Sequence, residues 1–558
     1  MHIVRLLLTA ASVAALHAAP VAAQTIGAES VVDENVDGDG EVASQGRSGP
    51  RYSVQPYIEA QQVALYQIRP GDDFATYSVL AAGVDMTAAT RRVQGGLSLR
   101  YERRIRWDDE NIGDSDTLSG IGRAAIAVVP DTLQVEVGGL AARTRADGVS
   151  IPGQLDIGDR VSQIYSVYVG PSFQTQVDDV SVQASYRAGY SKVESPGVVV
   201  APDASDPLDL FDESYTHQAS ARVGSAPGGV LPVGVGVGGS YYREDVSNLD
   251  QRVEDIRLRA DVTVPVSPTL AVVAGAGYEQ VEVSGRDVLR DDTGAPVIGA
   301  DGRYQADPAS PRLVAYDVEG VIYDVGVLWK PSRRTALQAS IGKKYGSLSV
   351  TGSFSWQPSA RTLINVSVYD QVTGFGGGLV NSLAALPTNF GVVRNPVTGE
   401  LTGCVVGEGN ANCVNAAFGN LRSAAYRARG VSASYNLDFG TAQTGIAAGY
   451  ERRELIGADG TILEPIAGIV DENYFTTAYY NQRIDRRSGF SANAYLSIFD
   501  SGRPEVGLNG GVGAQASYYR ELIDNLSATA AVGIDGAEFE NTVDIWTASA
   551  RLGLRYTF

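Results

Sequence analysis

The segment WTASARLGLRYTF, residues 546–558, alternates without a break. In an extended chain Trp546, Ala548, Ala550, Leu552, Leu554, Tyr556 and Phe558 share one face. Thr547, Ser549, Arg551, Gly553, Arg555 and Thr557 share the other. A helix would scatter both sets around its surface, so the segment reads as a strand with one apolar and one polar face.

The same period recurs upstream. Val180, Val182, Ala184, Tyr186, Ala188 and Tyr190 alternate with Ser181, Gln183, Ser185, Arg187, Gly189 and Ser191. Ile256, Leu258, Ala260, Val262 and Val264 alternate with Asp255, Arg257, Arg259, Asp261 and Thr263, and Val93, Leu97, Leu99 and Tyr101 with Gln94, Ser98, Arg100, Glu102 and Arg104. The pattern runs from Arg51 to Phe558 with no helical interlude. A soluble sandwich alternates too, but completes a domain with about seven to nine strands. Strands near the roughly 9–11 residues of a tilted membrane strand, repeated over this length, predict one antiparallel up-and-down transmembrane β-barrel, apolar outside and polar within.

The connections sort by length. Tight links fall at Pro130-Asp131-Thr132, Gln176 to Asp179, Pro227-Gly228-Gly229, Ser267-Pro268-Thr269, Lys330 to Arg334, Gln357 to Arg361 and Phe439-Gly440-Thr441, with an opposite tight turn at Gly346-Ser347. Long acidic or Gly/Asn-rich stretches lie between them at 145–159, 194–213, 284–311, 373–421 and 454–472. Short periplasmic turns opposite long outer loops give about 22 strands, within roughly 18 to 24, with both termini on the periplasmic side.

Residues 1–23 have the form of a cleaved secretory signal: Arg5, an apolar run from Leu6 to Leu16, and Val21-Ala22-Ala23. Residues 24–50 read as a flexible acidic arm, and 51–558 as the barrel. In the arm Asp33, Asn35 and Asp37 match the opening of a calcium loop, but Ser44 stands where a bidentate Glu is needed. A solvated tail is the simpler reading, and no metal site is assigned. A TonB-type active transporter, the chief rival of this barrel size, needs a folded plug domain, for which the 24–50 arm is too short.

Composition excludes other chemistry. The 558 residues carry a net charge of −20, against a nucleic-acid partner. With 3 His, of which His2 and His17 sit in the leader, and 2 Cys, the chain lacks ligands for zinc, haem or iron–sulfur centres, and no cofactor is expected. His217 and Ser220 lie at an offset that puts them on opposite faces of a strand, so no catalytic dyad is expected and the chain is not read as an enzyme. Cys404 and Cys413, inside the 373–421 loop and bound for an oxidising compartment, are expected to form a disulfide that stiffens it. That loop is expected to cover the mouth or fold inward as a constriction.

Lysine occurs only at Lys192, Lys330, Lys343 and Lys344, so the positive charge is nearly all arginine. Arg100, Glu102, Arg104, Arg187, Asp255, Arg257, Arg259, Asp261, Arg551 and Arg555 fall on polar faces. They are expected in the lumen, either as a charge ladder that screens solutes or as pairs that keep a wide barrel round. Asp206, Asp209, Asp212 and Asp291-Asp292 are loop acids that divalent cations near lipopolysaccharide would suit.

Arg551, Gly553, Tyr556 and terminal Phe558 resemble the terminal assembly signal of Gram-negative outer-membrane barrels. The resemblance implies recognition by the barrel-assembly machinery and a home among outer-membrane lipids and lipopolysaccharide. A second motif repeats: Trp329, Pro331, Ser332, Arg334 and Thr335 recur as Trp356, Pro358, Ser359, Arg361 and Thr362 at successive tight turns. Trp suits the interfacial girdle and Pro a turn that needs no ladder donor. This motif and the Tyr-rich strands around it, over about 310–450, resemble the barrels of exosortase (PEP-CTERM system) and exopolysaccharide loci, which overlap the broad porin 2 family. That resemblance implies a passive porin-like channel or conduit linked to surface polysaccharide production, with polysaccharide export components as partners. The equal alternative is that the motif is simply a good barrel turn. A structural or adhesive barrel with an occluded lumen is the other functional reading, and a barrel enzyme the weakest.

Overall fold

A computed structural model describes residues 51–107, 115–145, 161–194, 213–299, 304–388, 390–407, 410–413, 423–503, 507–540 and 543–558. The leader, the arm with Asp33, Asn35 and Asp37, and Asp206, Asp209 and Asp212 lie outside the described residues.

The strands in chain order are β1 (Arg51–Arg69), β2 (Phe74–Ala89), β3 (Val93–Arg106), β4 (Ser115–Val129), β5 (Leu133–Arg145), β6 (Val161–Val177), β7 (Val180–Glu194), β8 (Glu213–Ser225), β9 (Gly234–Val246), β10 (Gln251–Ser267), β11 (Leu270–Gly285), β12 (Leu313–Ser332), β13 (Thr335–Lys344), β14 (Ser347–Ser359) and β15 (Thr362–Thr373). After helix α1 (Phe375–Ala384) come β16 (Gly391–Arg394), β17 (Leu401–Gly407) and β18 (Asn410–Cys413). The series resumes with β19 (Tyr426–Asp438), β20 (Ala442–Leu455), β21 (Val470–Arg483), β22 (Ser488–Asp500), β23 (Leu508–Ile523), β24 (Leu526–Phe539) and β25 (Ile545–Thr557). Consecutive strands pair antiparallel, β15 pairs directly with β19, and β1 meets β25 with Tyr57 opposite Thr557. The product is one closed 22-stranded barrel, while β16–β18 form a separate three-stranded sheet.

Burial is inverted relative to a soluble protein. Leu258, Val321 and Leu552 on the outer face are 61%, 61% and 67% exposed, whereas Arg100, Glu279 and Asp261 on the inner face are buried. Among the described residues no helix is long and apolar enough to cross a membrane. A closed ladder with an apolar exterior satisfies every backbone group internally and is the other structure able to span lipid. The strands run longer than lipid demands, up to 20 residues in β12. The surplus rises at the long-loop end, where the outer face turns polar: Arg243 Nε and Arg252 Nε reach Asp245 at 2.6 and 2.7 Å, and Tyr241 donates to Glu254 at 3.1 Å.

Turn chemistry fixes the short end. Asp131, Asp178 and Asn525 take positive φ of 61°, 51° and 69°, a conformation that Asp and Asn tolerate better than most residues. The Trp-x-Pro-Ser repeat has one geometry twice. The register shifts between Trp329 and Ser332 and again between Trp356 and Ser359, so each proline sits in a bulge that needs no ladder donor. Ser332 and Ser359 then accept from the amides of Arg334 and Arg361, both at 3.2 Å, and their hydroxyls meet Thr335 and Thr362 at 3.2 and 3.0 Å.

Two expectations are corrected. The opposite tight turn is Tyr345-Gly346, not Gly346-Ser347: both residues have positive φ, 51° and 69°, as a two-residue hairpin requires, and Ser347 already belongs to β14. The chain also contains a helix, α1, in the 373–421 stretch where none was expected. Its Gly-rich start reads locally as loop, and contacts from the barrel wall make it helical. Among the loop acids, Asp291 is occupied by its own turn, accepting from the Thr293 amide at 2.8 Å and hydroxyl at 2.6 Å and from the Ala295 amide at 3.0 Å. These donors, the Thr293 hydroxyl foremost, hold its carboxyl below the usual carboxylate range.

Candidate functional site: a segment folded across the lumen

The stretch between β15 and β19 leaves the rim and packs inside the barrel. Its helix begins on a wall carboxylate. Glu244 of β9, fully buried, accepts from the Gly374, Gly376 and Gly377 amides at 2.6, 3.0 and 3.0 Å. Ser214 and Tyr242 hydroxyls donate to the same carboxylate at 2.8 and 2.5 Å, and Thr373 at 3.2 Å. The first amides of a helix have no internal acceptor and carry partial positive charge, so a carboxylate there is both cap and counter-charge. Glycine is required at 376 and 377, because a Cβ would collide with Ser214 at the first and with Tyr242 and Thr373 at the second.

From this anchor the apolar side of α1 covers the wall. Phe375, Leu379, Val380, Leu383, Leu386 and Phe390 cluster with Ile121, Leu140, Ile164, Tyr168, Val193 and Val246, all buried. These wall residues lie on the inner face, so the lumen is not uniformly polar as the alternation predicts. Its apolar patch exists where the helix docks.

Beyond Phe390 the chain continues along the inner wall toward β3, β2, β1 and β24. Arg394 donates to Ser119 and Ser98 hydroxyls at 2.8 and 3.1 Å and to the Gly399 carbonyl at 3.0 Å. Asn395 Oδ1 accepts from the Val397 and Thr398 amides at 2.8 and 3.1 Å, turning the tip. Val397 enters a cluster with Val63, Leu65, Tyr77, Val79 and Ala531 of β1, β2 and β24. Glu400 meets Arg104 at 3.1 Å and Arg143 at 3.6 Å. The helix on β4 to β9 and the turn on the adjoining β24, β1, β2 and β3 together line one side of the lumen.

All ten charges expected inside face the lumen, in three groups. Arg100 pairs with Glu59 and, at 3.1 Å, with Glu102; Glu102 takes Arg104 at 2.8 Å; Arg551 donates to Gln61 at 3.3 Å; Arg555 reaches Asp85 at 2.8 Å and Glu59 at 3.5 Å. On another sector Asp255 pairs with Arg257, and Arg259 joins Asp261 at 2.8 Å and Asp324 at 2.7 Å. Arg187 stands apart, over the Tyr168 ring at 5.3 Å and bonded to Gln218 at 3.1 Å. Pairing this dense leaves most of these arginines occupied as struts.

The alternation did not single out Glu244, Arg394 or Glu400, nor a knot beneath the β13–β14 hairpin. There the Tyr345 ring has Lys344, Arg257 and Arg427 at 4.5, 5.0 and 5.1 Å from its centroid. Arg427 binds Asp370 through two bonds of 2.9 and 2.7 Å. Truncating one member of a buried pair strands the other, so Asp370→Ala is expected to cost about 3–5 kcal/mol. Urea unfolding of the refolded protein measures it; a loss below about 1 kcal/mol, the worth of an exposed pair, would contradict the burial argument.

The remaining sequence candidates fall elsewhere. His217 faces outward and its Nδ1 lies 2.7 Å from the Tyr186 hydroxyl, while Ser220 meets Ser185 at 2.7 Å, so the two form no dyad. Arg551 points inward, Gly553 lies opposite Gln61, and Tyr556 packs edge-on against Phe558, whose amide donates to the Pro56 carbonyl at 2.9 Å. The β17–β18 register sets Cys404 opposite Cys413, and their side chains lie outside the described residues.

No family model matches the chain, and no curated protein matches it. Solved structures similar to it include the FrpB iron transporter of Neisseria meningitidis, with 9% identity, 90% of this chain and 82% of that chain covered, and a TM-score of 0.42. The ferric-catecholate import receptor Fiu of E. coli K12 has 10% identity, 90% and 81% coverage and a TM-score of 0.44. OpdQ of Pseudomonas aeruginosa has 9% identity, 91% and 97% coverage and a TM-score of 0.30.

Proposed function

We propose that the protein is a passive channel of a bacterial outer membrane whose lumen is gated by residues 374–425. The observation that carries this reading is the mode of attachment. The segment is held by one buried carboxylate, apolar packing, the hydrogen bonds of Arg394 and Gln251 and the ion pairs of Glu400, and its strands form a sheet separate from the barrel ladder. It can therefore leave without breaking the wall. Paired charges around the inner wall suit small hydrophilic solutes, and a Cys404–Cys413 disulfide would keep the crossing segment stiff.

Reconstituted in a planar bilayer, the protein is expected to show discrete conductance steps between a closed and an open level. A bilayer that stays silent at all voltages would favour the second reading, a structural barrel whose lumen is sealed, for which the apolar packing of α1 speaks. A link to surface polysaccharide is the narrowest form of the proposal. Its support is the turn repeat, which a bulged hairpin already explains, and unchanged capsule or slime in a deletion strain would remove it.

A further inference from the structure

Among the described residues, one pair of the barrel ladder sets two guanidinium groups directly opposite each other, Arg429 on β19 and Arg452 on β20. Both belong to the outer face, on the same side of their strands as the exposed Val431, Tyr435 and Ile446. They stand at the long-loop end, one step past the opposed pair Val431 and Tyr450, where the apolar belt gives way to charge. Like charges so placed, with Cβ atoms about 4.5–5.5 Å apart, repel. The acids around them are largely committed. Asp370 holds Arg427 through bonds of 2.9 and 2.7 Å and reaches Arg429 only at 3.6 Å. Glu472, opposite Arg452 on β21, accepts from the Tyr450 and Tyr474 hydroxyls at 2.7 and 3.2 Å. Glu454 lies 3.4 Å from Arg452, and Arg429 Nε is buried with no hydrogen-bond partner. The two side chains are 38% and 34% exposed, so a ligand can reach them from outside.

The wall beside this pair is stepped. β14 and β15 stay paired only as far as Gly352 and Val368, whereas β13 and β14 continue to Lys344 and Ser347, and β15 and β19 to Thr373 and Tyr426. Past that fork the hairpin tip lies over β19, where Ser347 Oγ accepts from Arg427 at 2.8 Å and from Arg429 at 2.9 Å. Leu348 on the tip and Val431 on β19 are both exposed, so the step has apolar flanks next to a cationic edge.

From this we propose that Arg429 and Arg452 bind a phosphate of an outer-leaflet glycolipid, the headgroup chemistry of lipopolysaccharide, with its acyl chains against the step. One phosphate between two opposed guanidinium groups replaces their repulsion with charge-assisted contacts that arginine can make in bidentate form. The height of the pair selects the source. At the edge of the apolar belt a lipid carries its phosphate at the required depth and covers Val431 and Leu348 with hydrocarbon, whereas free phosphate gains nothing from those residues.

The test reads stability rather than transport, so it stands or falls separately from the channel proposal. Full-length protein refolded in detergent, with divalent ions chelated, is melted with added lipopolysaccharide, with the same lipid enzymatically dephosphorylated, and with inorganic phosphate. Wild type is expected to melt higher as intact lipopolysaccharide is added, and to respond little to the other two. Arg452→Gln removes the repulsion together with the ligand contact. Without lipid it is expected to melt no lower than wild type, and to need roughly tenfold more lipopolysaccharide for the same shift. Arg103→Gln, at an outer-face arginine of β3 that bonds Asp116 at 3.1 Å, is expected to keep the wild-type response. Equal shifts with intact and dephosphorylated lipid would overturn the site, as would a full shift in Arg452→Gln or an equal loss in Arg103→Gln. A shift with inorganic phosphate as large as with the lipid would overturn the lipid assignment. A lipid-free Arg452→Gln that melts below wild type would assign Arg452 to its pair with Glu454 instead.

Discussion

Excision of residues 375–424, with Thr373 and Tyr426 rejoined by a short Gly-Ser turn, is expected to replace a gated conductance with a wide and permanently open one. The operation is sterically simple because Thr373 and Tyr426 are directly opposed partners at the ends of β15 and β19. The 22-strand ladder contains none of the removed residues, so the barrel should still close. Removal bares Ile121, Leu140, Ile164 and Val193 to lumen water, at about 1.5–3 kcal/mol for each large side chain re-exposed. The excised protein is therefore expected to be less stable and more conductive at once. Bilayer recordings and urea titrations on one preparation separate the two effects. Unchanged conductance would mean that solutes pass elsewhere or not at all.

Glu244→Ala is expected to open the channel with the sequence of the crossing segment intact. The substitution leaves three helix amides and the hydroxyls of Ser214, Tyr242 and Thr373 without their acceptor. Each buried donor left unsatisfied costs about 1–3 kcal/mol, and these losses overlap because the helix can shift. A net loss of about 3 kcal/mol moves the seated-to-released ratio by roughly 100-fold, enough to make a rare open level common. Glu244→Gln keeps an oxygen acceptor but not the charge, and should fall between. Single-channel open probability gives the readout, and limited proteolysis within 374–425 an independent one. An open probability in Glu244→Ala equal to wild type would show that the helix N-terminus does not hold the gate.

The barrel was legible because its signal is repeated and local. Every strand must present apolar atoms to lipid and polar atoms inward, so segments such as 546–558 carry the pattern in their own residues, and the short and long connections set the strand parity. The ten inner charges were legible for the same reason. The gate was not, since its structure comes from contacts between residues far apart in sequence. Gly376, Gly377 and Gly378 argue against a helix until Glu244, on β9, supplies an acceptor. Ile121, Ile164 and Val193 interrupt polar faces, an anomaly in the pattern that marked the docking patch and was masked by the regular residues around it.

The most direct test locks the gate. An added Cβ at Gly96 would lie 3.0 Å from the Phe390 carbonyl oxygen and 3.5 Å from the Phe390 ring, so Gly96→Cys with Phe390→Cys, in a Cys404→Ser and Cys413→Ser background, places two thiols where β3 meets the crossing segment. Oxidation is expected to hold the channel at its closed level, and reduction to restore the conductance steps in the same bilayer. Full conductance through the oxidised, cross-linked protein would contradict gating by this segment.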